Sequence, residues 1–237
     1  MLLYIIRHGI PDYATDTLTP EGKKQAEAVA KRLCLHGIDE VYTSPLGRAR
    51  ETAEPTCRAL GLSASVEPFM SEDTAWRHFC ARYPDGGERW AFWQRDSILG
   101  SDDSYRAPDG IGRGLYTDDR KAEEGMRILR EGSDAFLEKL GYKKTGVGNA
   151  YRILRNNPHR VAAFCHQGFG LHWLAYLLNL PVHIFTATFD ISHTGISILR
   201  FGEDAPGIAY PQCLCLSDLS HIYGAGLPLR YHDQLDI

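Results

Sequence analysis

The 237-residue sequence predicts a three-layer α/β/α sandwich with a mostly parallel central sheet. Three observations carry that expectation. Apolar runs of strand length alternate with stretches of helical period, the pattern of strands joined by crossover helices. Two of those runs end alike 158 residues apart: Leu2–Ile6 stops at Arg7-His8-Gly9, and Val161–Cys165 stops at His166-Gln167-Gly168. A hydrophobic share of 43% with 24% charged residues is ordinary globular composition, enough for a real core.

Leu2–Ile6 is apolar without a break and reads as a buried parallel strand. A helix should follow, with Thr19 as N-cap, Pro20 in its first position and Glu21 in its first turn. Gln25, Ala26, Val29, Ala30 and Leu33 keep helical spacing up to a stop at Gly37. Glu40–Thr43 is a short second strand. Gly47 to Leu60 reads as a second helix, with a break near Pro55 left open.

Between about residues 68 and 120 no clean period survives. Trp76, Phe79, Tyr83, Trp90, Phe92 and Trp93 crowd into eighteen residues, and a glycine-rich stretch from Gly100 to Gly114 follows. This is expected to be a cap insertion over the sheet, built of short helices and a long mobile loop, within a single domain spanning 1–237. Regular structure resumes with a helix from about Asp118 to Leu140, the strand Val161–Cys165, a helix Leu171–Leu178 and a strand Gly195–Phe201.

Composition narrows the function classes. A net charge of −4, with Lys and Arg spread along the chain, speaks against a nucleic-acid partner. No apolar run approaches the ~18 residues of a membrane span. Met1-Leu2-Leu3 enters a strand directly, with no basic n-region and no small-residue cleavage site, so no signal peptide is expected. The six cysteines lack metal-knuckle spacing and read as reduced thiols of a cytoplasmic protein.

A buried strand has no use for terminal cations, but the carboxyl edge of a parallel sheet does, because open α/β folds bind ligands there. The segment Thr43-Ser44-Pro45-Leu46-Gly47-Arg48 adds an arginine at the start of a helix that also follows a strand. If the three strands are neighbours, Arg7, His8, Arg48 and His166 meet beside a helix N-terminus. Clustered cations with fixed donors suit a tetrahedral dianion and not a metal ion.

The segments YIIRHG (4–9), LTPEGKKQA (18–26), YTSPLGRARETA (42–53) and CHQGFGLHWLAYLLNLP (165–181) resemble the histidine phosphatase (phosphoglycerate mutase-like) superfamily. The likeness is dense over 1–62 and 161–181 and weak between. It implies covalent catalysis without metal or other cofactor. By match to the RHG motif His8 would be the nucleophile, while Arg7, Arg48 and His166 would hold the phosphoryl oxygens. The attacking imidazole must be neutral, with neighbouring cations lowering its pKa and a backbone carbonyl fixing its tautomer.

The resemblance also implies a general acid after the third strand. Glu72 stands 24 residues beyond Arg48, the expected spacing, with Asp73 and Glu88 as alternatives. An aromatic setting would raise the pKa of such a carboxyl, as an acid needs. A solvated acidic turn at Glu72-Asp73 is the plainer reading.

This chain departs from the family pattern in three places. Ile10-Pro11-Asp12-Tyr13 stands where many members have Glu-Thr or Glu-Ser and a phosphate-contacting Asn. Gln167 replaces a glycine, and its backbone N–H or amide is left to serve the phosphate. No basic residues between 72 and 124 match those that grip a phosphoglycerate carboxylate.

The sequence therefore favours a phosphomonoesterase for a small phosphorylated substrate over a phosphoglycerate-type mutase. A non-catalytic phospho-ligand module is the alternative of another class, and the oligomeric state is left open. Trp76, Trp90 and Trp93 are expected in an aromatic core more than in a pocket. His193 and His221 are expected to make structural hydrogen bonds.

Overall fold

The computed structural model describes residues 1–106, 110–231 and, for the backbone, 235–236. Its central sheet has six strands among the described residues. They are β1 (Leu2–Arg7), β2 (Glu40–Thr43), β3 (Ala64–Val66), β4 (Arg160–Cys165), β5 (Ile196–Arg200) and β6 (Gln212–Asp218), in the order β6-β5-β1-β4-β2-β3. The β1/β4, β4/β2 and β2/β3 pairs are parallel, whereas β5 and β6 close one edge antiparallel.

Helices cover both faces: α1 (Pro20–Cys34) and α2 (Gly47–Leu60) one of them, α4 (Asp119–Lys139) and α5 (Gln167–Leu178) the other, joined there by the shorter α3 (Glu72–Phe79). The strand period of two decides which side chain meets which layer. Tyr4, Ile6, Ala162 and Phe164 pack with Val29, Leu33 and Ala53 of α1 and α2. Leu3, Ile5, Val161, Ala163 and Cys165 pack with Phe136, Phe169 and Trp173 on the opposite side. The expected sandwich is the observed fold.

Local signals held where the chain is regular. Thr19 caps α1, its hydroxyl accepting from the Gly22 amide, and Pro20 occupies the first turn. Asp118 caps α4 in the same way, accepting from the Arg120 amide. Helix α2 runs unbroken through Pro55, with Thr52, Ala53 and Thr56 buried around it. Packing there outweighs the one hydrogen bond that proline cannot donate.

Helix α5 begins at Gln167, four residues before the sequence reading, because Gly168 and Gly170 are sites of close approach and not breakers. A Cβ on Gly168 would lie 2.3 Å from the Trp90 ring, and one on Gly170 2.8 Å from Ile191. The segment 68–120 contains α3, a hairpin pairing Cys80–Arg82 with Glu88–Trp90, and short helices at Arg95–Leu99 and Asp102–Tyr105. Part of the loop expected from Gly100 to Gly114, residues 107–109, lies outside the described residues. Sequence reading missed β3, β6 and a small antiparallel sheet that includes Tyr142–Lys144 and Tyr151–Ile153. No helix among the described residues is long and apolar enough to cross a membrane.

Candidate active site

Parallel register assembles the site. In the β1/β4 pair Arg7 lies opposite Cys165, and the His8 amide donates to the Cys165 carbonyl at 2.9 Å. His8 and His166 therefore leave their strands side by side, ring centroids 5.0 Å apart. Strand β2 flanks β4 on the other side, where the Ser44 amide donates to the Phe164 carbonyl at 2.9 Å. This brings Ser44 Oγ to 2.6 Å from His166 Nε2. Strand β4 sits between β1 and β2, so residues far apart in sequence share one edge.

His8 is buried, and its Nδ1 lies 2.7 Å from the Gly9 carbonyl. A carbonyl only accepts, so Nδ1 carries the proton and Nε2 keeps its lone pair. Burial, then His166, Arg7 and His193, push the His8 pKa well below its ordinary value. His166 is pushed well down too, by burial first and then by Arg48 and Arg7. Both imidazoles are neutral near pH 7.

Arg7 is buried at the strand end, donating from Nη1 to the Ile191 carbonyl at 2.9 Å. Its Nη2 lies 2.9 Å from His193 Nε2, which must accept because a guanidinium only donates. His193 is thus in the neutral, Nδ1-protonated form, its ring 5.5 Å from that of His8. Structural hydrogen bonding was the expectation for this residue, and the bond it makes is to a site arginine. His221 stands one layer behind, Nε2 at 3.0 Å from Thr194 Oγ1, and the Thr194 amide donates to the Arg7 and His8 carbonyls.

Arg48, buried in the first turn of α2, donates from Nη1 to Asp16 Oδ1 at 2.5 Å. Asp16 Oδ2 accepts from the Gly47 amide at 2.6 Å. Among the described residues Arg48 Nε and His166 Nδ1 are buried polar atoms without a hydrogen-bond partner. Sequence reading missed Ser44, Asp16 and the Arg7–His193 bond. Ser44 stood within a quoted motif, but Asp16 carried no periodicity or spacing signal.

Glu72, the first residue of α3, accepts the Gly168 amide on Oε1 at 2.9 Å and the Phe169 amide on Oε2 at 2.7 Å. These are first-turn N–H groups of α5, unpaired within their helix. Glu72 lines the cavity and is half-buried. Burial raises its pKa, outweighing the two amides, Arg48 and Arg7, which lower it. Asp73 lines the same cavity, whereas Glu88 is exposed on the hairpin and does not.

That cavity, about 420 Å³, is lined by Arg7, His8, Arg48, Glu72 and Gln167 together with aromatic residues. Trp76, Trp90 and Trp93 are among its walls, the less favoured of the two expectations for them. The Gln167 side chain, which lines this cavity, donates from Nε2 to Asp190 Oδ1 at 2.5 Å.

A probable phosphoglycerate mutase GpmB of Photorhabdus laumondii is 34% identical over 152 residues, 59% of this chain and 69% of that protein. The GpmB of Serratia proteamaculans is 29% identical over 153 residues, with the same shares. Residues 3–105 match the family model of the histidine phosphatase superfamily (branch 1). The chain belongs to that superfamily.

Among solved structures, a phosphoserine phosphatase of Entamoeba histolytica in complex with 3-phosphoglyceric acid superposes with a TM-score of 0.59 at 22% identity, covering 93% of this chain and 98% of that one. A mycobacterial glucosyl-3-phosphoglycerate phosphatase in complex with inorganic phosphate gives 0.58 at 16% identity, with the same coverage. These likenesses carry the fold of a histidine phosphatase across nearly the whole chain. Sequence relatives are named mutases and structural neighbours phosphatases, so the class of transfer must be argued from the site.

Proposed function

We propose that this histidine phosphatase is a metal-independent phosphomonoesterase that works through a phosphohistidine on His8. The observation that carries the reading is one cavity shared by a neutral His8, two buried arginines and a carboxyl of raised pKa. His8 Nε2 attacks phosphorus, the bond to the ester oxygen breaks, and protonated Glu72 gives its proton to the departing alkoxide. Arg7, Arg48 and His166 hold the phosphoryl oxygens as charge spreads over them. A water then attacks the phosphohistidine, Glu72 takes its proton, and inorganic phosphate leaves.

A mutase reading, in which an alcohol and not water receives the phosphoryl group, is favoured by the names of the sequence relatives. The cavity lining argues the other way. Its Lys and Arg residues are Arg7 and Arg48, which the phosphoryl group occupies, and the carboxylate of a phosphoglycerate would face Asp73.

Turnover of p-nitrophenyl phosphate tests the proposal. Phosphate release should survive excess EDTA and stop with vanadate, and 3-phosphoglycerate should yield phosphate and not 2-phosphoglycerate. Activity that vanishes on chelation and returns with a divalent ion would overturn it. Binding without turnover would mark a phospho-ligand module instead.

A further inference from the structure

Beyond its phosphoryl-binding end, the His8 cavity is walled by indoles. Trp76 and Trp90 meet edge to face, ring centroids 4.9 Å apart at 84°. Trp90 is stacked on Phe92, and Phe92 meets Trp93 at 90°. Trp76 and Trp93 keep 40% and 42% of their surface exposed although both line the cavity. Large aromatic rings held open at a cavity mouth are surfaces that an apolar ligand covers.

Trp93 and Gln167 also line a second cavity, of about 560 Å³, with Phe92, Phe189 and Leu216 as apolar wall. Of the polar groups there, Asp190 accepts from Gln167 and from the Ile191 amide, Ser217 Oγ accepts from the Ser192 amide and Thr186 Oγ1 donates to the Val182 carbonyl, while the exposed Arg95 and Tyr231 complete the lining. Beside Arg95 and Tyr231, what this cavity offers a ligand is aromatic and aliphatic surface.

We infer that the two cavities form one continuous substrate site, and that the alcohol of the ester is a planar aromatic group of more than one ring. It lies against Trp76 and Trp90 and reaches along Trp93 toward Phe189. This rests on the phosphomonoesterase reading above and adds the class of leaving group. Near His8 a carboxylate-bearing alcohol meets Glu72 and Asp73, and the cations beside them, Arg7 and Arg48, are taken by the phosphoryl group. A cationic alcohol, which indole faces attract, is opposed by Arg7 and Arg48 in the same cavity.

Two aryl esters with leaving groups of similar acidity, phenyl phosphate and 2-naphthyl phosphate, separate size from chemistry. The wild-type kcat/KM should favour the naphthyl ester by at least about tenfold, the worth of the added ring against aromatic walls. Trp93→Ala and Trp76→Ala, checked for folding by their melting curves, should each cut that ratio to about threefold or less. Benzyl phosphate should likewise outrun 3-phosphoglycerate and phosphocholine, whose leaving alcohols are also aliphatic.

Equal kcat/KM for the two aryl esters, or a ratio that neither variant moves, overturns the inference and leaves the phosphomonoesterase standing. If no ester releases phosphate, that reading falls, and calorimetry of non-hydrolysable phosphonates still judges the cavity. A naphthylmethyl phosphonate should then bind at least about tenfold more tightly than methylphosphonate. Equal binding refutes the aromatic site.

Discussion

Asp16 joins the two groups that open helix α2, its Oδ1 at 2.5 Å from Arg48 Nη1 and its Oδ2 at 2.6 Å from the Gly47 amide. The carboxylate satisfies one N–H at the helix start and neutralises a guanidinium that is otherwise buried. Asp16→Ala should cost about 1 kcal/mol of stability, the usual worth of a cap. It should also raise KM for p-nitrophenyl phosphate, because Arg48 loses the partner that aims it. Asp16→Asn keeps an acceptor oxygen and should recover most of the stability. An Ala variant equal to wild type in both melting and KM would mean that Asp16 does not position Arg48.

Replacement of His8 tests the nucleophile. His8→Ala should abolish phosphoryl transfer while the protein still folds, since the ring contributes little to the apolar layers of the sheet. An acid-labile, base-stable phosphoryl adduct should be trapped on the wild type and be missing from the variant. Adduct formation that persists without His8 would move the nucleophile elsewhere.

Glu72 is tested by the leaving group. If it protonates the departing oxygen, Glu72→Gln should reduce kcat/KM for an alkyl phosphate by on the order of 100-fold or more. For p-nitrophenyl phosphate, whose phenolate leaves unaided, the loss should be much smaller. The comparison uses kcat/KM because kcat reports phosphohistidine hydrolysis when that step is slow. Equal losses would assign Glu72 to holding the first turn of α5, where it binds the Gly168 and Phe169 amides, and would turn attention to Asp73.

Buried histidines make stability pH-dependent. His172 is pushed down to about 4, mainly by burial, and His221 likewise to about 4, while His8 and His166 also lie well below their ordinary value. Each depressed histidine leaves the unfolded chain holding more protons than the folded one between its folded pKa and the unperturbed ~6.5, so stability falls as pH drops through that window and is flat above it. His172 alone should cost about 2 kcal/mol on going from pH 7.5 to 5. Glu72, raised by burial, acts with the opposite sign as one group among four histidines. Denaturant midpoints at pH 7.5 and 5 check this; a midpoint that does not fall would contradict the buried, neutral histidines.

The sandwich, its helix starts and the two histidine-ended strands were legible in sequence because each is a local matter. Strand burial follows from unbroken apolar runs, the α1 cap from Thr19 and Pro20, and the candidate cationic cluster from Arg7, His8 and His166 at strand ends and Arg48 at a helix start. Glu72 was reached through the spacing that the family resemblance implies, and its raised pKa through its aromatic neighbours. Pro55 and the glycines of α5 were harder to read, because local propensity there yields to packing by Ala53, Trp90 and Ile191.

Other features existed only once the chain had folded. Neither Asp16 nor His193 carries a pattern, and each acts by reaching a residue 32 or 186 positions away. The aromatic run 76–93 favours a core by composition but is also compatible with a pocket wall. What separates the two is how α3 and the hairpin lean on α5, leaving Trp90 buried but Trp76 and Trp93 half open. Sequence by itself determined which residues stand at strand ends and helix starts, since those follow from local apolar pattern and capping chemistry. Tertiary structure alone decided that these ends meet in one cavity with Glu72 and Asp73, and not Glu88, beside them, since strand pairing and distances between segments are encoded by no local propensity.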